Sequence, residues 1–490
     1  MHTPSFFLLF LTSTAIFSRP IQATPRPEFP DAPFRAQQPP AGPPAALRLP
    51  HVEAFALPNG LEVVLVARTA LPTVQLDLEV PGGSQLDAPG REGQTSLCVA
   101  LAGESTEKLE RVAYREALAD LAANVATWAN REQMGLSLAV LKRNLPQALA
   151  LWSDVLMHPG LRARDLQLLT AQRKTLITQQ KTSVGGLAAR LQPLVTWGAQ
   201  HPLGRVTTVA SLEGVTPETC SALWQARVLP KGARLYVVGD ITRAELVAAL
   251  KPLLAGWQGQ AAALPPLPPP QFTPHQLLLV DVPDSAQASV NVVHLGPART
   301  DPGYPALSLM AAILGGGFSS RINMNLREQH GWAYGARGTF DFVRGGSAWL
   351  VTASVRTDAA GPALQEIFKE MQRMRDEPAS QAELDRERDG SIGGLPARWV
   401  TSGAILNCLQ VLHFLGLPLD DDAKMPARWQ ATTLEQVRAA AQAHIQPKEA
   451  SVLVVGDAAK VLPQLLELTK PGAPLDGVPV TRLNADGQPH

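Results

Sequence analysis

An internal repeat constrains the fold of this 490-residue chain more than any other feature. A segment at residues 216–240 recurs at residues 433–457, and Pro230 corresponds to Pro447 at an offset of 217 residues. The repeated pairs are Thr216/Thr433, Glu218/Glu435, Val228/Ile445, Pro230/Pro447, Ala233/Ala450, Val237/Val454, Val238/Val455, Gly239/Gly456 and Asp240/Asp457. Each copy predicts a capped helix, a proline-containing turn and a buried strand that ends in Gly-Asp.

Weaker repeats precede each copy and extend the match. Pro89-Gly90 recurs as Pro302-Gly303, and the strand ending at Leu141 recurs as one ending at Val355. At about 150 residues per domain the chain has room for roughly three units. We therefore expect two homologous α/β halves at residues 51–260 and 275–470, a proline-rich linker at 261–274 and a tail at 471–490.

Asn59-Gly60 before a β-branched run predicts a hairpin turn and a strand.

The N-terminus indicates export. Residues 1–24 have an apolar core from Phe6 to Phe17 and small residues near Ala23, which is typical of a signal peptide. The apolar core is shorter than the roughly 20 residues that cross a bilayer, so we do not expect an integral membrane protein. Residues 25–50 are too rich in proline for a helix or sheet and predict an extended leader. The predicted location is periplasmic or secreted.

The charge balance argues against nucleic-acid partners, and the cysteine positions indicate how the thiols are used. Lysine plus arginine equals aspartate plus glutamate at 43 each, so no net field attracts nucleic acid. The three cysteines, Cys98, Cys220 and Cys408, are far apart and flanked by apolar residues. We expect them to be small buried hydrophobic residues without a disulfide framework.

The run from Leu314 to Phe340 carries the most local information. Ser319 or Ser320 could cap a helix over residues 321–330, and Gly331 follows where a left-handed C-terminal cap is needed. A strand should follow with one aromatic face, because aromatic residues occupy even positions. These positions are Trp332, Tyr334, Phe340 and Phe342.

This run resembles the substrate-holding segment of pitrilysin/insulinase-type zinc peptidases, the family that includes the mitochondrial processing peptidase. The resemblance rests on Leu-Arg-Glu-Gln-His-Gly-Trp-Ala-Tyr-Gly-Ala at residues 326–336 and covers about residues 52–468. It implies two halves, each with a mainly antiparallel sheet and packed helices, that face each other like a clamshell. It also implies that Arg327 and Tyr334 bind a peptide backbone beside a zinc ion.

The chemistry of Arg327 and Tyr334 is consistent with that role. A guanidinium offers five donors and a phenol one, so together they could hold a peptide carbonyl as charge develops on it. By spacing alone, an ordinary surface arginine and a half-buried tyrosine would explain the same two residues. The surrounding resemblance favours the substrate-binding interpretation.

The zinc-binding residues that the resemblance implies are missing. Active members carry His-x-x-Glu-His on a helix, which puts two imidazoles on one face with a general base between them. Ser96, Val99 and Ala100 occupy those three positions here, and Gln179 lies near the position of the distant glutamate ligand. None of these side chains supplies an imidazole or a carboxylate.

No small shift of register restores the zinc site. Histidine is absent between His51 and His158, and no aspartate or glutamate occurs between Asp165 and Glu213. The remaining histidines have no helical ligand spacing. The glycines at 315–317 lack the Gly-Lys ending of a phosphate loop, and Ser319 and Ser320 lack a nucleophile elbow. We expect no cofactor bound by this chain.

These observations lead to three hypotheses of function. The first is a non-catalytic, substrate-binding subunit of an exported heterodimeric metallopeptidase, in which a partner with an intact His-x-x-Glu-His motif holds the zinc. The chain alone would be an inactive homologue that binds a peptide or unfolded protein through Arg327 and Tyr334. The second is a peptidase-like scaffold with no role in proteolysis, as in core subunits of respiratory complexes. The third is an autonomous hydrolase, for which the sequence offers no recognisable set of catalytic residues.

Overall fold

The computed structural model of this chain describes residue 42 and residues 47–490. The predicted signal peptide at residues 1–24 lies outside the described residues, and so does most of the predicted leader at 25–50. Within the described part, no helix is both long and apolar enough to cross a membrane.

The first half is built on a six-stranded mixed sheet with the order β1-β2-β6-β3-β5-β4. Its strands are β1 (Glu53–Ala56), β2 (Glu62–Ala67), β3 (Thr73–Pro81), β4 (Asn124–Ala129), β5 (Gln133–Leu141) and β6 (Arg234–Gly239). Only β2 and β6 are parallel neighbours within this sheet. Between β1 and β2, Gly60 has a φ of 89°, which confirms the predicted turn at Asn59-Gly60.

The second half repeats this sheet with the order β12-β7-β11-β8-β10-β9. Its strands are β7 (Leu277–Asp281), β8 (Gln287–Gly296), β9 (Ala333–Val343), β10 (Gly346–Arg356), β11 (Ser451–Gly456) and β12 (Val480–Leu483). Strands β7 and β11 are parallel, as β2 and β6 are. The added edge strand differs, because β12 comes from the C-terminal tail and pairs parallel with β7.

Helices pack on both sheets. In the first half they are α1 (Gln94–Ala102), α2 (Arg111–Asp120), α3 (Leu145–Met157), α4 (Ala163–Lys181), α5 (Val184–Trp197), α6 (Pro217–Arg227) and α7 (Arg243–Leu253). In the second half they are α8 (Tyr304–Ala311), α9 (Arg321–Asn323), α10 (Ala360–Asp376), α11 (Gln381–Gly394), α12 (Ser402–Phe414), α13 (Asp421–Gln430), α14 (Leu434–His444) and α15 (Ala458–Glu467).

The internal repeat is confirmed element by element. Thr216 caps α6 and Thr433 caps α14, each by accepting a hydrogen bond from the backbone N–H three residues later. The strands that follow, β6 and β11, each lie inside a sheet and end at Gly239 and Gly456. The α/β fold with two homologous halves, each with a mainly antiparallel sheet, is therefore confirmed.

Each half covers the other half's sheet with one helix. Helix α12 of the second half packs Ile405, Leu409 and Leu412 against β2 and β6 of the first sheet. Helix α5 of the first half packs on β7 and β11 through Leu187 and Leu191. Because these apolar faces are buried only in the presence of both halves, the two halves stabilise each other.

The cysteine prediction is wrong for two of the three residues. Cys98 of α1 and Cys220 of α6 form a disulfide across a sequence separation of 122 residues. Their apolar neighbours Leu97, Leu101 and Leu212 belong to the same buried cluster. The apolar neighbours in sequence correctly indicated that the cysteines are buried, but they carry no information about which cysteines form a disulfide. Cys408 is buried and free, as expected.

The predicted helix at residues 321–330 forms, with a different winding. It is α-helical at Arg321–Asn323 and continues as a π-helix at Met324–Gln329. The expected serine cap is wrong, because the Ser320 hydroxyl donates to the carbonyl of Gly317 (2.7 Å). Gly331 has a φ of 63°, as the predicted C-terminal cap requires.

The aromatic face of the following strand is interrupted. Phe340 is buried, whereas Tyr334 is 87% exposed. The pairing of β9 with β10 explains the difference, because Ala336 and Ala333 pair with Ala353 and Val355. Three steps on β9 therefore match two on β10, and the resulting bulge turns Tyr334 away from the face that Phe340 shares.

Candidate functional site

The positions predicted from the resemblance to correspond to zinc ligands lie on α1 and α4. Val99 is buried in the core of the first half, and Ser96 and Ala100 are partly exposed on the same helix. The Ser96 hydroxyl donates to the carbonyl of Gly93 (3.0 Å), which uses its proton within the helix. Gln179 is exposed near the end of α4.

These side chains do not fit a zinc ion. Zinc in proteins binds imidazole nitrogens, thiolates and carboxylates, and this position offers a hydroxyl, two hydrocarbon groups and an amide. Throughout residues 47–490, no group of three or more His, Cys, Asp or Glu side chains is placed to hold a metal. No hydrolytic step through a zinc ion can be assigned to α1.

A cavity of about 460 Å³ lies beside Ser96. Its walls come from both halves and include Ser96, the turn from Asn130 to Gln133, Asp341 of β9 and Phe414 of α12. At its edge, Arg344 of the second half forms an ion pair with Glu132 of the first half (Nε to Oε2, 3.7 Å). Burial raises the pKa of Glu132 and lowers the pKa of Arg131 in the same turn. The cavity is thus part of the contact between the halves.

Arg327 and Tyr334 lie in the second half and contact each other. The Arg327 guanidinium lies over the Tyr334 ring with its carbon 4.9 Å from the ring centre, and it lies 4.9 Å from the ring centre of Phe318 as well. Phe318 is 59% exposed. We call Phe318, Arg327 and Tyr334 the exposed aromatic–arginine cluster. Cation–π contacts of this kind hold a guanidinium in place while leaving its N–H groups free to donate.

A buried asparagine connects the segments that carry this cluster. Asn323 Nδ2 donates to the carbonyl of Phe318 (2.6 Å), and Asn323 Oδ1 accepts a hydrogen bond from the backbone N–H of Ala336 (3.0 Å). The same residue therefore ties the glycine-rich loop to β9. Because π-helical turns are rare and are frequently found at functional sites, the π-helix that carries Arg327 supports a specialised role for this segment.

An ion pair anchors the start of the helix. Arg321 donates two hydrogen bonds to Glu383 of α11, from Nε to Oε1 (2.7 Å) and from Nη2 to Oε2 (3.0 Å). The Arg321 guanidinium holds the pKa of the Glu383 carboxyl at about 2, well below its usual range. This side-chain pair is largely buried, so it contributes more to positioning than an exposed pair would.

The cluster lies far along β9 from the cavity beside Ser96. Tyr334 is seven residues from Asp341, which lines that cavity, and a strand rises roughly 3.4 Å per residue. The tyrosine is therefore roughly 24 Å along the strand from the cavity wall. The structure brings Arg327 and Tyr334 together, but it does not bring them next to the zinc position of the same chain.

Sequence reasoning missed Phe318 as a member of the cluster. An aromatic residue directly after three glycines is a usable signal, because a loop of that composition cannot bury a large side chain easily. The contact with Arg327 spans nine residues and requires the loop to fold back on the π-helix, which no local pattern predicts.

Comparison with known protein families agrees with the geometry. The family description "Insulinase (Peptidase family M16)" matches residues 62–184, and "Peptidase M16 inactive domain" matches residues 214–391. The chain belongs to the insulinase family. Within this family it is a homologue that lacks the His-x-x-Glu-His motif.

The relatives of this chain include proteins named as non-peptidase homologues and proteins named as zinc proteases. The chain is 23% identical to "Non-peptidase homolog YmxG" of Helicobacter pylori over 399 residues, which is 80% of this chain and 90% of that protein. A Pseudomonas fluorescens crystal structure described as a peptidase M16 inactive domain has a TM-score of 0.76 and 24% identity, over 83% of this chain and 98% of that one. A chain in complex III of Candida albicans has a TM-score of 0.70 and 14% identity, over 84% and 97%. The two structures share the fold of the insulinase family with this chain.

Proposed function

We propose that this chain is a non-catalytic, substrate-binding subunit of an exported zinc metallopeptidase. Its partner supplies the zinc through an intact His-x-x-Glu-His motif, and this chain holds the peptide with Arg327 and Tyr334. The observation that carries the proposal is the exposed aromatic–arginine cluster in a chain whose own zinc position holds Ser96, Val99 and Ala100.

The orientation of the cluster favours a partner chain. Tyr334 is 87% exposed and lies roughly 24 Å along β9 from the cavity beside Ser96, so a reacting group next to it has to come from another molecule. Arg327 pairs only with its exposed neighbour Glu328 (Nε to Oε1, 3.1 Å) among ionic partners in the described residues. Exposed pairs contribute little, so a peptide carbonyl can displace Glu328 at low cost.

Export is supported by the disulfide between Cys98 and Cys220. Disulfides of this structural kind form and persist in oxidising compartments and are rare in the cytosol. The proposed location is a periplasm or the medium, in agreement with the signal peptide predicted at residues 1–24.

A scaffold without a role in proteolysis is the second candidate. The fold similarity to a chain of complex III favours it, because that chain is part of a larger complex. The two candidates differ in what they require of the cluster: a scaffold does not need Arg327 or Tyr334, whereas a substrate-binding subunit does.

The test is a mixing experiment with Arg327→Ala. A suitable partner is an exported chain with His-x-x-Glu-His encoded beside this one, and cleavage of a quenched fluorescent peptide is measured for each chain alone and for the mixture. We expect cleavage only in the mixture and loss of cleavage with a chelator. Since removing one donor to a developing oxyanion costs about 100-fold or more in rate, Arg327→Ala should reduce cleavage by at least that factor.

Arg438→Ala is the matched control, because Arg438 is an exposed arginine on α14 outside the cluster. The mixture of this variant with the partner should cleave the peptide as fast as the mixture that contains the unmodified chain. Circular dichroism should show that both variants are folded. Full activity of Arg327→Ala in the mixture would refute the substrate-binding role and favour the scaffold.

A further inference from the structure

Two carboxylates on β3 point away from the core of the first half. Asp77 and Glu79 are two residues apart in the strand, so their side chains leave the same face of the sheet. That face is covered by α12 of the second half, and Gln410 of α12 donates from Nε2 to Asp77 Oδ2 (3.1 Å). The Trp128 indole donates to Asp77 Oδ1 (2.8 Å).

Glu79 is buried without a complete set of partners. It is only 7% exposed, and its Oε2 atom accepts no hydrogen bond from the described residues. A buried polar atom in this state costs free energy that a bound donor would recover. Glu79 also lines a cavity, so its side chain lies next to a space that a donor group could occupy.

The neighbouring charged groups are already committed to other partners. Arg234 Nη2 pairs with Glu62 at 2.6 Å, and Arg344 pairs with Glu132. His413 of α12 shares a hydrogen bond with the Tyr236 hydroxyl (Nδ1 to Oη, 3.0 Å). Among the described residues, no cationic side chain forms an ion pair with Asp77 or Glu79.

The lack of a counter-ion is reflected in the acidity of both groups. Burial raises the pKa of Asp77 to about 6 and the pKa of Glu79 to about 7. The positive charges of Arg234 and Arg344 lower the pKa of Glu79 but do not offset burial.

The cavity that Asp77 and Glu79 line has a volume of about 310 Å³. Trp128 and Phe414 provide aromatic surface, and Asn130 and Asn407 are exposed at its edge. Asn130, Gln133 and Phe414 also line the cavity beside Ser96, so the two cavities adjoin. A volume near 300 Å³ is at the lower end of the range for small-ligand sites in proteins.

We propose that this cavity binds an organic monocation, the guanidinium or ammonium group of a basic side chain or of a small free amine. The Glu79 carboxylate accepts its N–H groups, Asp77 adds a second negative charge, and the Trp128 and Phe414 rings line the path of the cation and its apolar stem. The site uses residues of both halves and none of the exposed aromatic–arginine cluster, so it is independent of the function proposed above.

The test is isothermal titration calorimetry with 1-propylguanidinium and with a capped pentapeptide that has one central arginine among alanines. Binding of the small probe is expected, and binding of the peptide in addition would identify a basic side chain as a ligand. Affinity for the small probe should be about tenfold higher at pH 8 than at pH 6, because Glu79 loses its proton in this interval.

Glu79→Gln should weaken binding at pH 8 at least tenfold. Glu467→Gln, which removes an exposed carboxylate from α15, is the matched control and should not change it. The pH dependence of the unmodified chain tests the same site without any variant. Two further titrations serve as controls: the same pentapeptide with neutral citrulline in place of arginine, and calcium chloride. Absence of binding by 1-propylguanidinium and by the arginine peptide, equal binding of the citrulline peptide, or binding of calcium instead of the guanidinium would overturn the proposal.

Discussion

At the scale of single residues, the structure separates two kinds of charged side chain. Arg321 and Glu383 satisfy each other and position the helix that carries Arg327. Glu79 is buried without a counter-ion, and its Oε2 atom accepts no hydrogen bond from the described residues. The neighbouring carboxylate, Asp77, accepts two hydrogen bonds. Functional sites often retain such costly groups because a bound ligand completes them.

We predict that Glu79→Gln stabilises the chain at high pH. The pKa of Glu79 is raised from 4.5 to about 7 in the folded state, so the folded state binds the proton more tightly than the unfolded state. Stability is therefore lost as the pH rises from 4.5 to about 7, and glutamine removes this loss. The gain at pH 8 should be on the order of 3 kcal/mol and should vanish near pH 4.

Melting temperatures of both proteins across this pH range are the measurement. An identical difference at pH 4 and pH 8 would contradict the argument, because a packing effect of glutamine would not follow the titration of a carboxyl group.

At the scale of elements, the disulfide holds helix α1, which carries the positions predicted to correspond to zinc ligands. Cys98 lies between Ser96 and Val99 on α1, and its bond to Cys220 connects α1 to α6. Here covalent attachment and the surrounding apolar cluster keep α1 in place.

We predict that Cys98→Ala with Cys220→Ala lowers the melting temperature and abolishes its dependence on reductant. Closing a loop of 122 residues removes unfolded-state entropy worth about 5 kcal/mol in the chain-entropy description. Thermal unfolding with and without dithiothreitol measures both effects. Cys408→Ala is the control, because Cys408 is a free cysteine whose loss should leave the response to reductant unchanged. A double variant as stable as the oxidised parent would contradict the prediction.

At the scale of the whole molecule, the two halves are held together by an exchange of helices. Helix α12 covers the first sheet and α5 covers the second, with Leu409 and Leu191 fully buried. The proposed cation site forms in the same contact, since Gln410 and Phe414 belong to α12 and Asp77 and Glu79 to β3.

We predict that residues 47–260 and 275–490 cannot fold stably as separate fragments. Each fragment exposes an apolar sheet face that the other normally covers, and exposed faces of this kind lead to aggregation. Produced together, the fragments should form a one-to-one complex that elutes like the intact chain in size-exclusion chromatography. A single fragment that is monomeric and unfolds cooperatively would show that the exchange is dispensable.

Much of the molecule was predictable from local sequence. The repeat at residues 216–240 and 433–457 predicted two similar halves, since capping threonines and β-branched runs act within a few residues. The absence of a His-x-x-Glu-His motif could be seen directly in the sequence, whereas the match of Ser96, Val99 and Ala100 to its positions stays a prediction. The pairing of Arg327 with Tyr334 was predicted from the family resemblance and not from spacing alone, and their role stays a prediction.

Only the tertiary structure decided the remaining features, because each depends on residues that are distant in sequence or on a local irregularity. The Cys98–Cys220 bond, the contact of Gln410 with Asp77 and the exchange of α5 and α12 all join separate parts of the chain. The bulge that exposes Tyr334 arises from the pairing of β9 with β10. Periodicity specifies which side chains are buried, whereas packing determines which of them meet.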